Sequence, residues 1–290
     1  MAQIPFGLYE KALPATLSWP ERLDAAAKTG YDFVEISIDD SDQRIARLEW
    51  GPEEKLNLRR AIQNSGVPVK SMSLSAHRRF PLGSTSPELR NRGLDILKKA
   101  INFSVDLGIR FILIAGADAY HEESTPTTQI NFLKGLERGV EWGSSAGVML
   151  ALENWDIQIN SLTKAMSYVD YFKSPWFQVY ADIGNLIYAG ENIVKELEIA
   201  RDHIAAVHIK DTLQGQLRYI QPGKGQVPFV DAFAKLAEIG FQGPIVLELW
   251  TENLPNAIEI ASEANTWIRS KMKQGWQSHE KQSERVRSLT

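Results

Sequence analysis

The stretch VMLALENW, residues 148–155, decides how this chain is read. Gly147 opens it, and five apolar residues then run into Glu153, Asn154 and Trp155. An apolar run this short reads as a buried strand. It ends in an acid, although burying an ionised carboxylate without a partner is costly. The question is what faces that carboxylate.

The pattern recurs along the chain. The other runs are IPFGLY (4–9), FVEISI (33–38), VKSMSLS (69–75), FILIAG (111–116), FQVYADI (177–183), IAAVHIK (204–210) and PIVLELW (244–250). With VMLALEN (148–154) they make eight, and their starts lie 27 to 42 residues apart, the size of a βα unit. The segments between them read as helices. WPERLDAAAKTG (19–30) is amphipathic and stops at Gly30. The segment 86–109 has Ser86 to cap it, Pro87 at its first helical position and Gly108 at its end. PFVDAFAKLAEIGF (228–241) closes on Gly240 in the same way. This alternation predicts a (β/α)8 TIM barrel; a doubly wound open sheet is the competing arrangement. No low-complexity linker divides the chain, so the expectation is a single barrel domain over 1–275. A polar C-terminal tail, 276–290, follows as a frayed helix end or an extension.

Composition bounds the function. The 290 residues are 43% hydrophobic and 23% charged, ordinary for a globular protein. A net charge of −4 argues against a nucleic-acid-binding or membrane-binding surface. There is no cysteine, so any metal must be held by carboxylate and imidazole. No signal peptide is recognisable and no run reaches ~18 apolar residues, so the expected location is the cytoplasm.

Catalytic groups of a barrel gather at the C-terminal ends of its strands. The fifth strand ends in Glu153 and the sixth in Asp182; the seventh carries His208, and the eighth carries Glu248. Any one of these is commonly a rim residue. Four on successive strands point to a metal site, suited to Mn²⁺, Zn²⁺, Co²⁺ or Mg²⁺ without distinguishing them. Alternation along the seventh strand turns Lys210 the same way as His208, toward the barrel centre. The second strand carries Glu35, and Glu35 and Lys210 are candidates to contact the substrate or to support the metal ligands. His77, Arg78 and Arg79 follow the third strand as a basic cluster, read either as a surface triplet or as contacts to an anionic substrate. Of the five histidines, 77, 121, 203, 208 and 279, only His77 and His208 are expected in the pocket. After the seventh strand comes RYIQPGKGQVPF (218–229), where Arg218 is a further substrate-contact candidate. Its glycines would let backbone amides approach a ligand, although it lacks a full phosphate-loop pattern. No Ser/His/Asp arrangement is spaced for nucleophilic hydrolysis.

Taken in order, LSAHRRFPLGS, LALENWD, ADIGN, VHIKDT and VLELWTE resemble the L-xylulose/L-ribulose 5-phosphate 3-epimerases, sometimes labelled hexulose-6-phosphate isomerases. That family lies in the xylose isomerase-like TIM barrel superfamily. The likeness runs from about residue 5 to about residue 275, and SAHRRFPLGS is its most specific part. The resemblance implies an isomerase of carbohydrate metabolism with one divalent ion on Glu153, Asp182, His208 and Glu248. It implies inversion of carbon 3 of a ketopentose 5-phosphate through a metal-stabilised enediolate, with Glu153 and Glu248 as acid and base. His208 would hold the ion and also touch a substrate hydroxyl, and Trp155 and Trp250 would wall the pocket. A homodimer is a family-level expectation. The alternatives are an isomerase or 3-epimerase of another, unphosphorylated ketose, and a non-catalytic sugar-binding barrel. The endonuclease branch of the superfamily has a histidine where this chain has Asn185, and the few histidines here cannot fill its multi-zinc cluster.

Overall fold

The computed structural model describes residues 4–155 and 158–289, with side chains described as far as Lys281. Elements alternate along the chain: β1 (Phe6–Tyr9), α1 (Trp19–Lys28), β2 (Phe33–Ile38), α2 (Asp42–Ile45), α3 (Pro52–Ser65), β3 (Val69–Leu74) and α4 (Pro87–Leu107). Then come β4 (Phe111–Ala115), α5 (Pro126–Ala146), β5 (Met149–Glu153), α6 (Leu162–Phe172), β6 (Phe177–Asp182), α7 (Ile183–Tyr188) and α8 (Ile193–Ile199). The last are β7 (Ile204–Ile209), β8 (Asp211–Leu213), β9 (Gln216–Ile220), α9 (Phe229–Glu238), β10 (Ile245–Leu247) and α10 (Ala257–Leu289).

Eight of the strands close a parallel barrel in the order β1-β10-β7-β6-β5-β4-β3-β2. This is the (β/α)8 arrangement, not the open sheet. The other two, β8 and β9, pair antiparallel as a hairpin between the seventh and eighth barrel strands. Helix ends follow local chemistry. Ser86 caps α4 by accepting from the Leu89 amide, and Gly108 ends that helix at φ 74°. The α10 helix continues across the 275/276 boundary, and Trp276 packs against Phe233 of α9. Within the expected tail, side chains from 282 onward lie outside the described residues. Among the described residues no helix is long and apolar enough to cross a membrane.

Strand alternation sorts the side chains into two layers. One row packs under the helices in a single large apolar cluster that includes Ile36, Met72, Ile112, Leu150, Leu152, Val179, Val207 and Leu247. The other row points into the barrel. It forms two small apolar sets, Leu113, Ala151, Tyr180 and Ala206 in one and Tyr9, Phe33 and Val246 in the other. The Phe33 ring lies across Gly7 so closely that a Cβ there would meet it at 2.3 Å. The next inward positions toward the strand C-termini are Glu153, Asp182, His208, Lys210 and Glu248, so the apolar interior gives way to a charged layer.

Candidate active site

Glu153 and Asp182 are the last residues of β5 and β6, His208 sits on β7, and Glu248 follows β10 directly. The regular strand stops at Leu247, but the Glu248 amide still donates to Ile209 O at 2.9 Å, which keeps Glu248 in line. Asp182 and His208 are register partners across β6 and β7. One ligand atom from each of the four residues lies within 4.8 Å of all the others, and all four residues are buried.

The histidine is oriented by its far nitrogen. His208 Nε2 donates to Glu35 Oε1 at 2.6 Å, and Glu35 Oε2 accepts from the Tyr180 hydroxyl at 2.7 Å. Nδ1 faces the other way, 3.2 Å from Glu153, 3.7 Å from Glu248 and 3.9 Å from Asp182. Burial opposes a charge on this imidazole, but Glu35 and Glu248 outweigh it and hold its pKa well above the ordinary value. Lys210 Nζ donates to Asp182 Oδ2 at 2.5 Å and to Glu248 Oε2 at 2.7 Å. Gly184, at the start of α7, leaves room for its stem: a Cβ there would lie 2.4 Å from Lys210 Cγ.

Burial raises the Asp182 carboxyl to about 7 against the pull of Lys210. Burial acts in the same direction on Glu248, but Lys210 and His208 bring it below the usual carboxylate range. Four carboxylates thus share one closed volume with Lys210 and His208. A deficit of positive charge and a hard oxygen-and-imidazole donor set are what a divalent cation offsets, and this group can hold one.

Lys210 is the internal cation of the group, so its removal tests the charge balance. Lys210→Met is expected to cost about 3–5 kcal/mol of stability in chelator, because the buried carboxylates lose their partner. Urea unfolding in EDTA checks this; an unchanged midpoint would show that Lys210 does not offset their charge.

Asn154 was not singled out by the sequence reading, yet it clamps the ligand geometry. Its Oδ1 accepts from the Asp182 amide at 2.7 Å, and its Nδ2 donates to the Asp182 carbonyl at 2.9 Å. Asn185 Nδ2 donates back to the Asn154 carbonyl at 2.9 Å, and its own amide caps onto Asp182 Oδ1 at 2.8 Å. The signal in the sequence is an asparagine set directly after the strand-end acid.

Above the cluster opens a cavity of about 370 Å³. Glu153 and Glu248 reach it from below, and Trp155 and Trp250 stand in its walls. Arg78 lies over the Trp155 ring at 5.0 Å, and Arg218 lies over Trp250 at 4.8 Å. Neither guanidinium is in an ion pair among the described residues, and the Nε of each is buried without a partner. Tyr9, Lys11 and His121 also line the cavity and were not expected there. Tyr9 is the last residue of β1, Lys11 follows it by two, and His121 lies in the loop after β4.

The other sequence candidates are placed elsewhere. His77 is buried beneath α4 with Nε2 against Gly93 O at 3.2 Å, and burial pushes its pKa down to about 4. Arg79 turns outward to Asp42 at 2.6 Å. Neither lines the cavity, so of the basic triplet only Arg78 reaches it. The glycine loop after β9 does not present its amides to a ligand. Gly223 and Gly225 donate to Asp211 Oδ2, each at 2.8 Å, and Val227 donates to Oδ1 at 3.1 Å. A Cβ on Gly225 would lie 2.2 Å from that carboxylate, so glycine lets the loop wrap Asp211. Beyond Arg78, the segment through Thr85 holds a neighbouring loop: Glu122 accepts from the Ser84 hydroxyl and from the Thr85 amide. That loop carries Tyr120 and His121 to the cavity.

The profile of the xylose isomerase-like TIM barrel family matches residues 23–271. Two relatives, each named L-ribulose-5-phosphate 3-epimerase UlaE, come from Salmonella paratyphi C and Escherichia coli O1:K1. Each is 45% identical over 271 residues, covering 93% of this chain and 95% of the relative. Among solved structures, an L-ribulose 3-epimerase superposes with a TM-score of 0.78 at 19% identity, covering 98% of both chains. The D-psicose 3-epimerase of Clostridium cellulolyticum H10, with D-tagatose bound, gives 0.77 at 16% identity, covering 93% of this chain and 99% of that one. At these identities the structures establish the fold. The profile and the 45% identity establish more: the chain belongs to the L-ribulose-5-phosphate 3-epimerase family of xylose isomerase-like TIM barrels.

Proposed function

We propose that the protein inverts carbon 3 of a ketopentose 5-phosphate, interconverting L-ribulose 5-phosphate and L-xylulose 5-phosphate. The observation that carries this is the placement of two carboxylates, Glu153 and Glu248, in one cavity with the His208 and Asp182 donors beneath them. The relatives' name supplies the substrate class.

The proton on carbon 3 is acidic only because carbon 2 is a carbonyl. Glu153, Asp182, His208 and Glu248 would hold a divalent ion, which would supply Lewis acidity toward oxygens of the substrate. One glutamate takes the carbon-3 proton, and the C–H electrons move into the carbonyl to give an enediolate. The other glutamate returns a proton to the opposite face of carbon 3. The first is left protonated and the second ionised, so both reset by exchange with solvent or by the reverse reaction. His208 Nε2 is engaged by Glu35, so this nitrogen is not free for a substrate hydroxyl and the histidine serves as a ligand. Trp155 and Trp250 exclude water from the reacting carbon.

Arg78 and Arg218 are the binding groups for the phosphate. Each is stacked on a tryptophan and lacks a carboxylate partner, which leaves its donor edge available for a dianion. Arg79 is not, since Asp42 already satisfies it. Arg78→Ala and Arg218→Ala are each expected to raise KM for the phosphorylated sugar about 10- to 100-fold, as loss of a charged hydrogen bond does. Arg79→Ala stays within about twofold. Steady-state kinetics on both epimers checks this. Equal kcat/KM with L-ribulose and its 5-phosphate would transfer the assignment to a free-sugar epimerase.

A further inference from the structure

Glu35 is the buried carboxylate the mechanism leaves unused. It has no solvent exposure and does not line the cavity. It stands on β2, which lies diametrically across the ring of strands from the β6 strand that carries Tyr180. Its two oxygens take one donor each, His208 Nε2–H and the Tyr180 hydroxyl. The Tyr180 ring also packs edge-on against the imidazole, centroids 4.6 Å apart at 67°. A fully buried carboxylate with only these two partners is costly to retain on packing grounds alone.

We propose that Glu35, steadied by Tyr180, is a positioning residue for the metal centre: it fixes His208 with the proton on Nε2 and the Nδ1 lone pair aimed at Glu153, Asp182 and Glu248. An imidazole offers one ligating nitrogen at a time, and the hydrogen bond on the other nitrogen selects which. Here the selection is geometric. The Nε2 side of the ring is closed by Glu35, and Tyr180 packs against the ring at 67°, so a ring flip would break the Glu35 bond and turn Nδ1 away from the carboxylates. Accepting from Nε2–H also increases the electron density at Nδ1, which strengthens it as a donor. Tyr180 keeps the second Glu35 oxygen occupied and so holds the carboxylate on the histidine. The inference rests on the reading of the four-residue group as the metal site.

The test is a Co²⁺ titration of chelator-stripped protein, followed by its visible absorption bands. Parent chain, Glu35→Gln and Tyr180→Phe are compared, with the His208 tautomer read by long-range ¹H–¹⁵N NMR on the Zn²⁺-loaded proteins. The expected result is a 10- to 100-fold weaker Co²⁺ Kd in Glu35→Gln. Tyr180→Phe shifts it in the same direction by a smaller factor, and the parent shows an Nε2–H, Nδ1-ligated ring. A parent chain that does not bind Co²⁺ would defeat the metal site itself. A parent that binds, with a Glu35→Gln variant whose thermal midpoint falls but whose Kd is unchanged, would overturn the positioning role alone. If Glu35→Gln does not fold, an unchanged Kd in Tyr180→Phe overturns it equally.

Discussion

Glu153→Gln and Glu248→Gln will each lower kcat by about a thousandfold or more, because general acid–base groups contribute 10²–10⁴-fold and each glutamate here also belongs to the group that can hold a metal ion. Glutamine keeps the size and the hydrogen-bonding shape of the side chain. It cannot take or give a proton at carbon 3, and it carries no charge toward the cation. The two losses separate experimentally. Measured at saturating divalent ion, what remains is the proton-transfer defect, and the variant's metal content reports the other. Circular dichroism should be unchanged, since both side chains lie at the strand ends beneath the cavity and outside the large apolar cluster. The variants also divide the labour. With one glutamate acting on each face, each variant fails to remove the carbon-3 proton from one epimer and fails to deliver it to the other. Near-normal turnover by either variant would remove that residue from the mechanism.

Chelation will abolish turnover, and adding back a divalent ion will restore it. Four carboxylates and two basic groups share the site, so a bound ion would supply positive charge that the group lacks. Because the ion binds the folded site and not the unfolded chain, it also stabilises the fold, by about 4 kcal/mol at a thousand times Kd. The pH dependence has a definite sign. In the ion-free chain Glu35 and Glu248 outweigh burial and hold the His208 pKa well above its ordinary value, so an ion at Nδ1 competes with a proton there. Raised Asp182 works the same way. Apparent affinity therefore rises with pH, by up to about tenfold per unit for each proton displaced, and flattens above these pKa values. Titration calorimetry in buffers of different ionisation enthalpy counts the protons released. Full activity after exhaustive chelation, with metal content verified as nil, would contradict the metal requirement.

The strand ends were the most legible part of the chain. Eight short apolar runs at βα spacing point to the barrel, and the acids and histidine near their ends point to the cluster, because a backbone that alternates faces leaves those side chains only one direction to point. Loops obeyed no such rule. His77, Arg78 and Arg79 are consecutive, yet one lies under α4, one in the cavity and one against Asp42. The turn of 3-10 helix over Ser75–Arg78 sends neighbours in different directions, and no periodicity announces it. Gly223 and Gly225 looked like ligand-binding glycines and instead serve Asp211, a partner of a kind that composition does not distinguish from a phosphate. The pairing of Glu35 with Tyr180 spans 145 residues and exists only because the barrel closes. Lys11 lies in the turn after β1 and His121 in the loop after β4, where strand alternation no longer fixes the direction of a side chain.

Incubating the metal-loaded protein with L-xylulose 5-phosphate in D₂O, followed by NMR, tests the central claim most directly. Inversion by two glutamates that exchange their protons with solvent predicts L-ribulose 5-phosphate carrying deuterium at carbon 3, and at no other carbon. Unchanged sugar, or product whose deuterium lies at carbon 1, would contradict carbon-3 proton transfer as the reaction of this site.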